Sequence, residues 1–120
     1  MKAKMVLTAL TMAVGLTTAG TAMAQKYPTK TITMYVAFSA GGTTDLTARA
    51  IAQGMEKILG VPVAVENKGG GGGTVSGALL AAQKPDGYTL LVASTGLLTM
   101  RPMMMKVAFK PSSFTPLIQY

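Results

Sequence analysis

The chain has 120 residues, a net charge of +7 at neutral pH, and neither histidine nor cysteine. Disulfides therefore cannot hold it together, and the acid–base, nucleophilic and metal chemistry that relies on His or Cys has nothing to work with. Beyond residue 24 the Lys and Arg residues are scattered singly, without a basic run or an interleaved aromatic platform, which argues against a nucleic-acid surface.

In chain order, Lys2 and Lys4 give a basic start, and Met5 to Leu16 is apolar except for Thr and Gly. Ala22 and Ala24 then occupy the small-residue positions of a signal-peptidase site. This pattern predicts a secretory signal peptide over residues 1–24, cleaved after Ala24, and a periplasmic protein. The apolar run is shorter than the ~20 residues a bilayer span needs. Residues 25–120 then carry nine basic and four acidic side chains, a net charge of +5 on one small domain. Such a charge suits small anions or an acidic membrane surface, and a merely solubilising surface accounts for it more simply than either.

Ile32 to Phe38 alternates and is apolar on both faces at its end, a strand largely buried there. Thr43, Thr44 and Asp45 are placed to cap a following helix. From Leu46 to Leu59 the residues Ala48, Ile51, Ala52, Met55 and Leu59 form one helical stripe, stopped by Gly60. Val61–Val65 reads as a second strand, confined to an edge or a strand start by Pro62. Thr74–Lys84 reads as a helix ended before Pro85, Asp86-Gly87 as a turn, and Tyr88–Ser94 as a third, mostly buried strand. The alternation predicts an α/β fold with a mostly parallel sheet joined by right-handed crossovers. After Gly96 the expectation is a short helix and the start of another strand at "TPLIQY", with Met103–Met105 used as core filler.

Both glycine-rich stretches, Gly41-Gly42 and Gly69–Gly73, fall between a strand end and a helix start, and Ser94-Thr95-Gly96 lies at the same rim. In open α/β sheets that rim is where ligands bind. The run of five glycines does not fit a P-loop, since Lys68 precedes it and Thr74 follows it alone. A dinucleotide fingerprint fails as well: Gly71 and Gly73 fit two positions, but Ser76 takes the third. Nor does a linker suit the middle of one compact unit. Close backbone approach accounts for it better: N–H groups free of Cβ atoms can nest an anion beside a helix N-terminus.

The four carboxylates (Asp45, Glu56, Glu66 and Asp86) lie on different elements and suggest no acid–base pair or metal cluster. The serines lack a base, so catalysis is not expected. Asp45 is either a helix N-terminal charge or an acceptor for a ligand; Asn67 is either a strand-end turn residue or a ligand contact.

The stretches "YPTKTITMYVAFSAGGTTD", "VENKGGGGG", "KPDGYTLLVAST" and "FKPSSFTPL" follow one another as in the Bug family, the exported solute-binding proteins of tripartite tricarboxylate transporters. The chain resembles that family from Lys26 to Tyr120. The resemblance implies a type II periplasmic-binding-protein-like α/β lobe, one of two that close on a small carboxylate-bearing solute. Carried over by motif, the ligand loops are Ser39, Gly41, Gly42, Thr43, Thr44 and Asp45, with Asn67, Gly71, Gly72, Gly73 and Thr74. Ser94 and Thr95 stand where a third ligand loop would be. Implied partners are a small organic anion (a di- or tricarboxylate, an amino acid or an aromatic acid) and the transporter's membrane components, with no cofactor. The chain departs from the pattern at Ala37 and Ala40, where prolines are usual, at Gly69, where a proline is common, and at Ser76, where a glycine often occurs. Family members run to about three times this mature length, so residues 25–120 are expected to be the N-terminal part of the first lobe, with the second lobe absent. Because hinge closure needs both lobes, weak binding or none is expected of these residues alone. The rival readings are a small exported interaction protein docking through its Met-rich tail, and a truncated product without function.

Overall fold

The computed structural model describes residues 26–119, so the expected signal peptide lies outside the described residues. Strand β1 (Ile32–Val36) is followed by helix α1 (Thr43–Leu59), strand β2 (Val63–Asn67), a 3-10 turn (Gly71–Gly73), helix α2 (Thr74–Ala81) and strand β3 (Thr89–Val92). Two short helices, α3 (Thr95–Thr99) and α4 (Arg101–Met104), and a 3-10 turn at Pro111–Ser113 complete the order. The strands form one parallel sheet in the order β2-β1-β3. This is the α/β layer that the alternation of elements implies.

The sheet is buried from both sides. Ile32, Met34 and Val36 of β1 pack with Ala48 and Ala52 of α1 and with Val63. On the other face Ala37, Leu97 and Phe109 form a second cluster, joined by Ala78 and Ala81 of α2. β3 serves both clusters: Leu90 and Val92 meet the first, Leu91 and Ala93 the second, which is why its sequence is apolar without alternation. Its position at the sheet edge leaves every β3 residue only half-buried, short of the mostly buried strand expected.

The element ends follow local chemistry. The αL conformation of Gly60 closes α1, its N–H donating to the Glu56 carbonyl. α1 starts at Thr43, earlier than its apolar stripe, with Gly42 as N-cap and no side-chain cap from Thr43, Thr44 or Asp45. The Asp45 carboxylate instead reaches back to the Gly41 N–H at 2.8 Å. β2 pairs only from Val63, because Pro62 has no N–H to give, though its carbonyl still accepts from Ile32 N–H at 3.0 Å. α2 ends at Ala81, where the Gln83 N–H tightens onto the Leu80 carbonyl. Within α2, Gly77 gives room to the Phe109 ring: a Cβ there would stand 2.7 Å from Cε1.

Two expectations for the last stretch are corrected. Residues 115–119 form no strand: they lie beside no sheet edge that would take up their N–H and C=O groups, and Leu117 and Ile118 are about three-quarters exposed. Met103–Met105 do not fill a core either. Met103 is 88 % exposed and Met104 71 %, because α4 is a single turn that buries none of its residues, and the second cluster is closed by Leu97 and Phe109 without them.

Candidate functional site

The strand order reverses at β1: the chain moves outward to β2 by way of α1, then back past β1 to β3 by way of α2. A crevice is expected at the carboxyl end of such a strand. The three loops that follow the strands are bonded together there. Lys68 N–H donates to the Val36 carbonyl at 2.9 Å, and Ala37 N–H to the Val92 carbonyl at 3.1 Å. Gly69 lies against the Phe38–Ser39 peptide, where a Cβ would stand 3.9 Å from the Phe38 carbonyl carbon.

A polar cluster fixes the first two loops relative to each other. Asp45 Oδ2 accepts from Gly41 N–H at 2.8 Å and from Arg49 Nε at 3.0 Å. Asp45 Oδ1 accepts from Asn67 Nδ2 at 2.8 Å, and the same amide donates to the Phe38 carbonyl at 3.1 Å. Arg49 Nη2 completes the cluster by donating to Asn67 Oδ1 at 3.2 Å. Asp45 is 2 % exposed. The Arg49 guanidinium first, then the Gly41 N–H and the Asn67 amide, hold its carboxyl at about 2, below the ordinary 3.8. Its charge is therefore neutralised inside the cluster and presents little repulsion to an anion at the rim. Both of its oxygens are occupied, as are both ends of the Asn67 amide, so in this conformation the two residues position loops.

The glycine run forms a left-handed turn. Gly70, Gly71, Gly72 and Gly73 have φ of 121°, 56°, 65° and 96° in succession, a path open to glycine alone over four residues. Gly73 N–H closes the turn onto the Gly70 carbonyl at 2.9 Å. Gly73 itself is buried against Ala37 and Leu97, and the Thr74 hydroxyl donates to the Gly71 carbonyl at 3.2 Å. Around the turn, Ser39, Gly41, Gly42 and Thr43 are exposed, as are Gly71, Ser94 and Thr95, while Thr44 and Gly72 are half-buried. The Thr43 and Thr44 N–H groups precede the first helical bond, from Leu46 N–H to the Gly42 carbonyl, and so have no partner within α1. The structure thus gathers all thirteen predicted residues at one rim, with Asp45, Asn67 and Gly73 facing inward.

Two residues at this rim carry no site assignment from the sequence. Arg49 was detectable, since it stands one helical turn after Asp45. Arg101 was not: its guanidinium lies over Gly72, from α4, far along the chain. A shallow depression of ≈ 470 Å³ lined by Lys30, Lys84, Asp86 and Tyr88 sits at the opposite, amino end of the strands, away from these loops.

Residues 47–119 match the family described as tripartite tricarboxylate transporter family receptor. The UPF0065 protein in the TAR-I ttuE-ttuC' intergenic region of Agrobacterium vitis is 44% identical over 85 residues, 71% of this chain and 25% of that protein. Protein BugT of Bordetella pertussis is 38% identical over 89 residues, 74% of this chain and 26% of that protein. A structure described as a periplasmic transporter superposes with a TM-score of 0.68 at 40% identity, over 72% of this chain and 29% of that one. MatC from Rhodopseudomonas palustris with bound malate gives 0.66 at 39% identity, over 75% and 31%. The chain spans about a quarter of the length of these curated relatives. On this match of sequence and fold, the chain belongs to the tripartite tricarboxylate transporter receptor family.

Proposed function

We propose that the chain forms part of the first lobe of a periplasmic solute receptor, exported by the signal peptide over residues 1–24, that holds a small carboxylate for a tripartite tricarboxylate transporter. The observation that carries this reading is the pairing of two loops at one rim: the start of α1 with its free N–H groups, and the left-handed glycine turn beside it. Backbone N–H groups at a helix start hold an anion without any basic side chain. Related structures described with malate and with adipate support a carboxylate as the ligand. The rim binds rather than catalyses: its serines, Ser39 and Ser94, have no histidine to activate them anywhere in the chain.

The test compares Gly72→Val with Glu56→Gln by titrating each chain with malate and following backbone amide resonances. A branched side chain at Gly72 would strain the turn and intrude among the loops, so rim shifts are expected to vanish. Glu56 Oε1 accepts from Val63 N–H at 2.8 Å on the far side of the lobe. Glutamine keeps that acceptor, and binding is expected to persist. Equal loss in both variants would refute the rim assignment.

A second reading rests on the exposure of Met100 and Met103–Met105, a flexible apolar surface suited to a partner or membrane. Co-sedimentation with liposomes that disappears when Met103–Met105 become serine would favour it.

A further inference from the structure

Arg101 is half-buried, and its guanidinium lies over the glycine turn so closely that a Cβ at Gly72 would overlap it. All four carboxylate side chains of the protein are engaged elsewhere. Asp45 is held by Arg49, Asp86 by Lys30 and Glu66 by Lys68, while Glu56 accepts from the Val63 N–H. Among the described residues, then, Arg101 has no ion-pair partner, although a guanidinium is the side chain best matched to a carboxylate. Its place is also specific. The other cations near these loops are committed, Arg49 to Asp45 and Asn67 and Lys68 to Glu66. Gly72 lacks a side chain that would push Arg101 away, and the guanidinium occupies the space that such a side chain would fill. The start of α4 thereby contributes a charged fork to a rim whose other groups are backbone amides and hydroxyls.

Building on the reading of this rim as a carboxylate site, we propose that Arg101 is its specificity-determining residue. One carboxylate of the ligand rests on the amides of the β1–α1 and glycine loops, and Arg101 pairs with a second acidic group. A ligand that is neutral at that second end loses the ion pair and leaves the guanidinium without a partner.

The experiment titrates the isotope-labelled chain with succinate and with succinamate, which has nearly the same shape but replaces one carboxylate by an amide. Wild type is expected to prefer succinate about tenfold, the low end for a charge-assisted hydrogen bond at a half-buried site. Arg101→Gln should weaken succinate binding about tenfold, to the level of succinamate, and leave succinamate unchanged. Arg101→Lys keeps the charge and should retain most of the preference. If rim resonances respond in wild type but Arg101→Gln keeps the full preference, Arg101 does not select the ligand and the rim reading stands. A loss in Arg101→Lys equal to that in Arg101→Gln, for both ligands, would show that packing over Gly72 rather than charge sets the affinity, and would overturn the proposal. If neither ligand moves the rim resonances of wild type, the rim reading itself falls, and Arg101 with it.

Discussion

Replacing Gly72 by alanine separates backbone strain from side-chain crowding. Gly72 has φ 65° and ψ 34°, a left-handed conformation that costs an L-residue roughly 1–2 kcal/mol. The added Cβ would also overlap the Arg101 guanidinium, but that group is the tip of a flexible side chain and can swing aside. Strain therefore dominates, and Gly72→Ala should destabilise the fold by about 1–2 kcal/mol. Gly54 supplies the control. It lies inside α1, where a Cβ would meet nothing within 4 Å. There the same substitution should stabilise by about 0.5–1 kcal/mol through helix propensity and a less disordered unfolded chain. Urea denaturation with a common slope measures both. Repeating Gly72→Ala in an Arg101→Ala background should leave its penalty nearly unchanged. A penalty that disappears in that background, or a Gly72→Ala chain as stable as wild type, would refute the argument from strain.

Three further predictions follow from the packing and charges. Ile32 is fully buried at the centre of the first cluster, so Ile32→Ala should cost about 2–5 kcal/mol in the same denaturation assay. Gly77→Ala gains helix propensity but drives a Cβ into the Phe109 ring; the overlap, worth about 1–3 kcal/mol, should win, and Phe109→Leu should relieve it. Asp45 has a folded pKa of about 2 against the ordinary 3.8, so the folded state binds fewer protons in that interval and its stabilisation is lost as the pH falls through it. Thermal melting from pH 7 to pH 2 should therefore show Asp45→Asn less stable than wild type at neutral pH, with the gap narrowing as the acid end is reached. A constant gap would contradict the ion-paired cluster.

The parts of the fold legible in the sequence were those written in local periodicity. Alternation at Ile32, Met34 and Val36, the stripe of α1, and Gly60 as its stop identify β1 and α1 without reference to the rest of the chain. The parallel sheet followed from the order of elements, and the rim from the position of both glycine loops at strand ends. What was not legible depended on distant partners. "TPLIQY" has strand composition, yet a strand needs a neighbour to bond, and residues 115–119 have none among the described residues. The methionines at 103–105 are apolar, but whether apolar residues are buried depends on what already fills the core, here Leu97 and Phe109. Asp45 was open between two roles because its partners are split: Gly41 and Arg49 are near in sequence, while Asn67 arrives from β2. Arg101 left no local signal, since only the folded chain brings it over Gly72.

The most direct test of the account is a titration of the isotope-labelled wild-type chain with malate, read by backbone amide shifts. The rim is open to solvent, yet its free amides should hold malate weakly rather than not at all, near the millimolar range that corresponds to about 4 kcal/mol. Shifts should concentrate at Gly42, Thr43, Thr44 and Gly70–Thr74, and reach Ser94 and Thr95. Shifts centred instead on Lys30, Lys84 and Tyr88, at the opposite end of the strands, or no saturable shift at any concentration, would contradict a carboxylate site at this rim.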